Sequence, residues 1–178
     1  MRLRIPFLLI PMGFFSQWLH AEDYKEPLTG ISFPDTLGSY KLGKTTSYSA
    51  EPGKSGRAIE YQSGDAEVTV FVRMTGDEAH RSSADFLADT LLGIKALEAR
   101  GDYTDLKIYQ SGGGREKPGW ASAAFTGRSS GRLIASFIYC KVLGAHLVKI
   151  RATTPNPKND ELYTFLTQLQ ESIDRTAH

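Results

Sequence analysis

Apolar side chains at Leu87, Leu91, Ile94 and Leu97 recur at steps of four and three, which predicts a helix with one buried stripe. Ser82 and Asp85 have capping-box spacing at its start, and Gly101 stands where such a helix stops. A second stripe runs through Leu162, Phe165, Leu166 and Leu169, with Ile173 near its end. Asn159 is placed to cap that helix, and Asp160 and Glu161 suit the positive end of its dipole. Elsewhere the period changes to two. Val68, Val70 and Val72 alternate with Thr69, Phe71 and Arg73, the mark of a strand with one buried face. Phe71 breaks the polar side of that pattern, so some cover is expected on the second face as well.

Further strands are expected over residues 38–49, 57–62, 106–110, 120–126, 132–142 and 146–153. Residues 31–33 form a short apolar piece stopped by Pro34, and residues 22–28 read as a loose leading segment. Glycine-rich turns separate these pieces at 51–56, 63–65, 111–114, 127–131 and 143–145. Short links between consecutive strands imply antiparallel pairing. The order of strands, helix, strands and helix gives an α+β class: an antiparallel sheet of about six to seven strands packed by two amphipathic helices. No repeat or long linker divides residues 22–178, which are expected to form one domain.

Residues 1–21 follow another pattern. Arg2 and Arg4 precede a run from Ile5 to Leu19 with no acidic or basic side chain, which closes at His20-Ala21 before Glu22 and Asp23. A basic start, a short apolar core and a small exit residue make a secretory signal peptide, with cleavage expected after Ala21. A membrane anchor would need roughly 20 consecutive apolar residues. Pro6 and Pro11 interrupt this run, while Ser16, Gln17 and His20 dilute its end. The expected location is therefore the periplasm or the exterior. No second long apolar run follows, so no stable membrane insertion is expected after cleavage.

Export changes the charge picture. The chain has 178 residues, with 21 Lys and Arg against 20 Asp and Glu. Losing Arg2 and Arg4 leaves 19 basic and 20 acidic residues, a net charge of −1. Such a domain has no global attraction for nucleic acid, and none is expected as a partner. Cys140 is the single cysteine, so no internal disulfide can form. It lies in the strand-like run Ser136-Phe137-Ile138-Tyr139-Cys140, where a buried, inert thiol is expected.

Several motifs lack the context their chemistry needs. Gly127-Arg128-Ser129-Ser130-Gly131 has the spacing of a serine-hydrolase elbow, which would make Ser129 a nucleophile. The elbow requires a strand-to-helix turn, and here strands are expected on both sides. Asp77-Glu78-Ala79-His80 spells a helicase signature without a nucleotide-binding partner motif. Gly53-Lys54-Ser55 resembles a P-loop end, but Tyr48 stands where the first glycine belongs. Asp77, Glu78 and His80 could together ligate zinc, yet no second cluster supports them, and no metal or cofactor is expected. Gly112-Gly113-Gly114-Arg115 could cradle an anion, but no helix is expected to follow it.

The candidate binding residues are Arg128, Arg132, Lys149 and Arg151, which gather basic side chains around the late hairpin. Lys149 and Arg151 share one strand face, and Lys141 is expected opposite. They make either an ordinary solvated face or a contact surface for an acidic partner. Tyr40, Tyr48, Tyr61 and Trp120 could add aromatic anchors, with core packing the default.

Ile31-Ser32-Phe33-Pro34 followed by Leu37-Gly38, and the strand pair closing on Val148-Lys149-Ile150-Arg151-Ala152-Thr153, carry a resemblance. The chain resembles short exported proteobacterial proteins of unknown function and, more remotely, is similar to the PsbP-like α+β fold. The resemblance spans most of residues 22–178 and implies a binding or accessory role, without assigning a role to any residue. The expected function is thus that of a non-catalytic periplasmic protein, monomeric or dimeric, that contacts a protein or envelope component. A small-ligand pocket between sheet and helix, or hydrolysis through Ser129, are the alternatives.

Overall fold

The structure, a computed structural model, describes residues 23–51, 54–110 and 117–176. Residues 1–21, expected to be a signal peptide, Pro52-Gly53, expected in a turn, and the triglycine run with Arg115 lie outside the described residues.

Ten strands and two long helices are seen among the described residues. In chain order they are β1 (Tyr24–Lys25), β2 (Ser32–Phe33), β3 (Thr36–Leu37), β4 (Tyr40–Glu51), β5 (Lys54–Ser63), β6 (Ala66–Met74), α1 (Ser83–Ala99), β7 (Thr104–Gln110), β8 (Trp120–Ser129), β9 (Arg132–Leu143), β10 (His146–Thr154) and α2 (Asp160–Thr176). The α+β class is as the sequence implies. The main sheet has eight strands in the order β3-β4-β5-β6-β10-β9-β8-β7, every pair antiparallel. This exceeds the expected six to seven, because Gly38, at φ +63°, turns the chain and makes β3 a strand of its own. β1 and β2 form a separate two-stranded ribbon.

The leading segment is tied down rather than loose. Glu26 is fully buried, and its carboxylate accepts the N–H of Leu28 at 3.0 Å, the N–H of Thr29 at 2.8 Å and the Thr29 hydroxyl at 2.7 Å. A buried carboxylate held this way closes the turn between β1 and β2.

The helix signals appear where the pattern puts them. Ser82 caps α1: its hydroxyl accepts from the Asp85 N–H, and its own N–H donates to the Asp85 carboxylate at 2.8 Å. Those bonds hold the Asp85 carboxyl below its usual pKa. Gly101, at φ +84°, stops the helix. Asn159 caps α2 by accepting the Leu162 N–H at 3.0 Å. Ser130 and Gly131, both at positive φ, make the two-residue turn between β8 and β9, the geometry that matches strand twist.

The two helices lie on opposite faces of the sheet. α2 sets Leu162, Phe165, Leu166, Leu169 and Ile173 on the face that carries Val68, Val70, Val72, Val148 and Ile150. The Phe165 ring stacks on Tyr40 at 4.1 Å and meets the edge of Tyr61 at 5.2 Å. α1 sets Phe86, Leu87, Leu91 and Ile94 on the other face, against Ala123, Phe125, Ile138, Cys140 and Leu147. That contact covers β8, β9 and the start of β10, with Leu106 and Ile108 of β7 packed against it, and at its other border the Arg73 guanidinium of β6 lies 5.1 Å from the Phe86 ring centre. Among the described residues no helix covers the same face of β4 and β5.

Candidate functional site

Strand register defines what the uncovered half-face displays. One row runs Ala58, Phe71, Lys149, Cys140 from β5 through β6 and β10 to β9. The next runs Glu60, Thr69, Arg151, Ile138. Cys140 and Ile138 lie under α1, whereas Phe71, Lys149 and Arg151 are only partly buried. Lys149 and Arg151 therefore stand at the border between the covered and open halves, on β10 at the centre of the sheet. Phe86, Thr90 and Leu97 follow helical spacing down one flank of α1, and the Thr90 side chain reaches Cys140.

The two cations rest on aromatic rings. Lys149 Nζ is 4.8 Å from the Phe71 ring centre, and the Tyr48 ring meets Phe71 edge-on at 6.2 Å. Tyr48 occupies the space that a side chain at position 56 would need: a Cβ on Gly56 would come within 2.5 Å of the tyrosine ring. The Arg151 guanidinium lies 5.9 Å from the Phe125 ring centre and donates through Nη2 to the Tyr103 hydroxyl at 2.6 Å. Its Nε–H is buried and has no acceptor among the described residues.

Ion pairing separates these two residues from their neighbours. Arg73 is held by Glu78 at 3.1 Å, Arg81 by Glu78 at 2.9 Å, Lys117 by Glu171 at 2.9 Å and Lys141 by Asp174 at 2.6 Å. Arg57 donates to the Ser47 hydroxyl. Among the described residues no carboxylate pairs with Lys149 or Arg151. The nearest acid in their own rows is Glu60, two strands from Arg151, or about 9.5 Å between Cα atoms at ordinary strand spacing. Burial holds the Lys149 pKa below the usual lysine value, and the Arg151 and Arg73 charges lower it further. A half-buried ammonium and guanidinium without a counter-ion are poised to accept an external anion through charge-assisted hydrogen bonds.

Neither protein-family models, curated proteins nor solved structures match this chain. The site is therefore defined by its own geometry.

Arg128 and Arg132 do not join it. Both flank the β8–β9 turn, with Arg132 six residues along β9 from the row of Ile138 and Arg151, or about 20 Å. Arg128 meets Asp105 at 3.4 Å and donates to the Gly131 carbonyl. Arg132 lines an open cleft of about 520 Å³ that it shares with Asp65 and Glu67, so that end of the sheet is mixed in charge. Lys141 does face the opposite side, over Trp120 and against Asp174. Tyr40, Tyr61 and Trp120 are core residues, and Tyr48 alone of the four aromatic candidates lies on the open half-face. Phe71, Tyr103 and Arg73 also shape the site, and no sequence signal marked them as doing so beyond the odd position of Phe71.

The other motifs resolve into structure. Ser129 ends β8 opposite Arg132, in a hairpin and not in a strand-to-helix elbow. His146 starts β10 opposite Leu143, which is eleven residues along β9 from Arg132, or about 35 Å. Glu78 sits in a single 3-10 turn and serves Arg73 and Arg81. Among the described residues no group of three or more His, Cys, Asp or Glu is placed to share a metal ion, and no helix is long and apolar enough to cross a membrane.

Cys140 is fully buried, and burial pushes its thiol up to about 11. The thiolate is the reactive form, so the folded protein should resist thiol reagents at mildly alkaline pH and react only as fast as it unfolds. Mixing with a chromogenic disulfide reagent, with and without denaturant, checks this. Immediate reaction of the native protein would contradict the buried placement.

Proposed function

We propose that this chain is an exported, non-catalytic binding domain that docks an acidic segment of a protein partner in the cell envelope. The docking surface is the open half-face bounded by α1, with Lys149 and Arg151 as its charged centre. One observation carries the reading: among the described residues these two partly buried cations have no carboxylate partner, while Arg73, Arg81, Lys117 and Lys141 all have one. Leaving a half-desolvated charge unpaired costs stability, and a partner that supplies the counter-charge offsets that cost on binding. Work in the periplasm or outside the cell follows from the signal pattern of residues 1–21. An accessory role is also what the PsbP-like resemblance implies.

The test is a screen of the purified protein against a library of short acidic peptides, read by fluorescence anisotropy at low and high salt. The reading requires binders whose affinity falls with salt and is lost in the Lys149→Glu/Arg151→Glu double variant. A library without binders, or binders indifferent to both residues, would overturn it.

A further inference from the structure

Lys149 and Arg151 are two residues apart on one strand, so their side chains leave the same face with Cα atoms about 6.8 Å apart. The floor beside them is mixed: Ala58, Glu60 and Thr69 share the neighbouring rows with the Phe71 ring, and the Tyr48 ring fills the space over Gly56. An amphipathic helix needs a continuous apolar stripe, whereas here the two rings make one patch and Glu60, Thr69 and the two cations occupy the rest. An extended chain shows alternate side chains at the same interval as β10, so each can meet a different row of this mixed floor.

We infer that the half-face selects an extended segment with acidic side chains at alternate positions, one over Lys149 and one over Arg151. The inference rests on the docking role proposed for these residues and adds the form of the ligand. The next ligand side chain on the same side falls in the row of Leu147, Arg73 and Gly56, where the Tyr48 ring lies over Gly56, so an aromatic or apolar residue belongs there. The side chain at the other end comes over Thr153 and Glu67, where a further acid is disfavoured.

Three labelled peptides of one composition test this. Their two acids stand at alternate, adjacent or four-apart positions, the last on a helix-forming background. Binding to the full purified protein is followed by anisotropy. The alternate peptide should bind about tenfold tighter than either of the others, a preference that Lys149→Gln or Arg151→Gln each removes. Arg128→Gln should leave it intact, and thermal unfolding of each variant verifies that it folds. Equal affinities that still depend on Lys149 and Arg151 would overturn the spacing and leave the docking face standing. Preference for the helical peptide would replace the extended ligand with a helix. If none of the three binds, the alternate-spacing rule falls, and the broader library decides whether the docking face falls with it.

Discussion

Phe165→Ala should destabilise the domain by about 4 kcal/mol, the middle of the range for truncating a buried aromatic ring. Phe165 is 2 % exposed and stands at the centre of the α2 contact, stacked on Tyr40 and edge-on to Tyr61. Each aromatic pair contributes about 1 kcal/mol beyond burial alone. The hole left behind cannot close easily. Tyr61 is pinned by its hydroxyl, which donates to the Pro34 carbonyl at 2.7 Å, and Tyr40 is held on β4 between β3 and β5. Equilibrium denaturant unfolding checks the value. For a chain of this length the same loss lowers the melting temperature by about 12 °C. A cost below about 1.5 kcal/mol would mean that α2 can resettle on the sheet, contrary to this packing.

The double reversal Lys149→Glu/Arg151→Glu should weaken binding of an acidic segment at least about a hundredfold, because each change turns an attraction into a repulsion. Both side chains are partly exposed, and Arg73 lies close enough to Lys149 to depress its pKa, so a glutamate at 149 would gain a cationic neighbour. The fold should survive, as circular dichroism would verify. Arg128→Glu/Arg132→Glu is the matched comparison, since it alters net charge equally but about 20 Å away. It should act only through the long-range field, with a small loss that vanishes at high salt. Equal losses in the two double variants would contradict the placement of the site on β10.

The elements were legible where one short-range cause decides them. The Ser82–Asp85 box, Gly101, Asn159 and the alternation through Val68, Val70 and Val72 act within a few residues, and each appears in the fold. The ribbon of β1 and β2 was not legible, because it depends on Glu26 folding back onto the backbone of Leu28 and Thr29. The site was legible in part. Alternation put Lys149 and Arg151 on one face and Lys141 on the other. Grouping Arg128 and Arg132 with them treated nearness in sequence as nearness in space, which a strand as long as β9 defeats. How far α1 reaches across the sheet decides which cations remain open, and that is a matter of tertiary packing. Phe71, an apolar residue on a polar face, was the one local sign that this face is special.

The central claim is that Lys149 is held unpaired for a partner and not for the fold, and equilibrium unfolding of Lys149→Met tests it most directly. Methionine keeps an unbranched stem and a polarisable contact over Phe71 while removing the unpaired charge. The account predicts a gain of about 1 kcal/mol near neutral pH, since an uncompensated, partly buried cation is lost. The gain should fade as pH rises towards the ordinary lysine value of 10.5. In that window the folded ammonium has released its proton while the unfolded chain still holds one, so the stability of the unsubstituted protein climbs. A loss of about 1 kcal/mol or more on Lys149→Met would make the ammonium part of the fold and contradict the account.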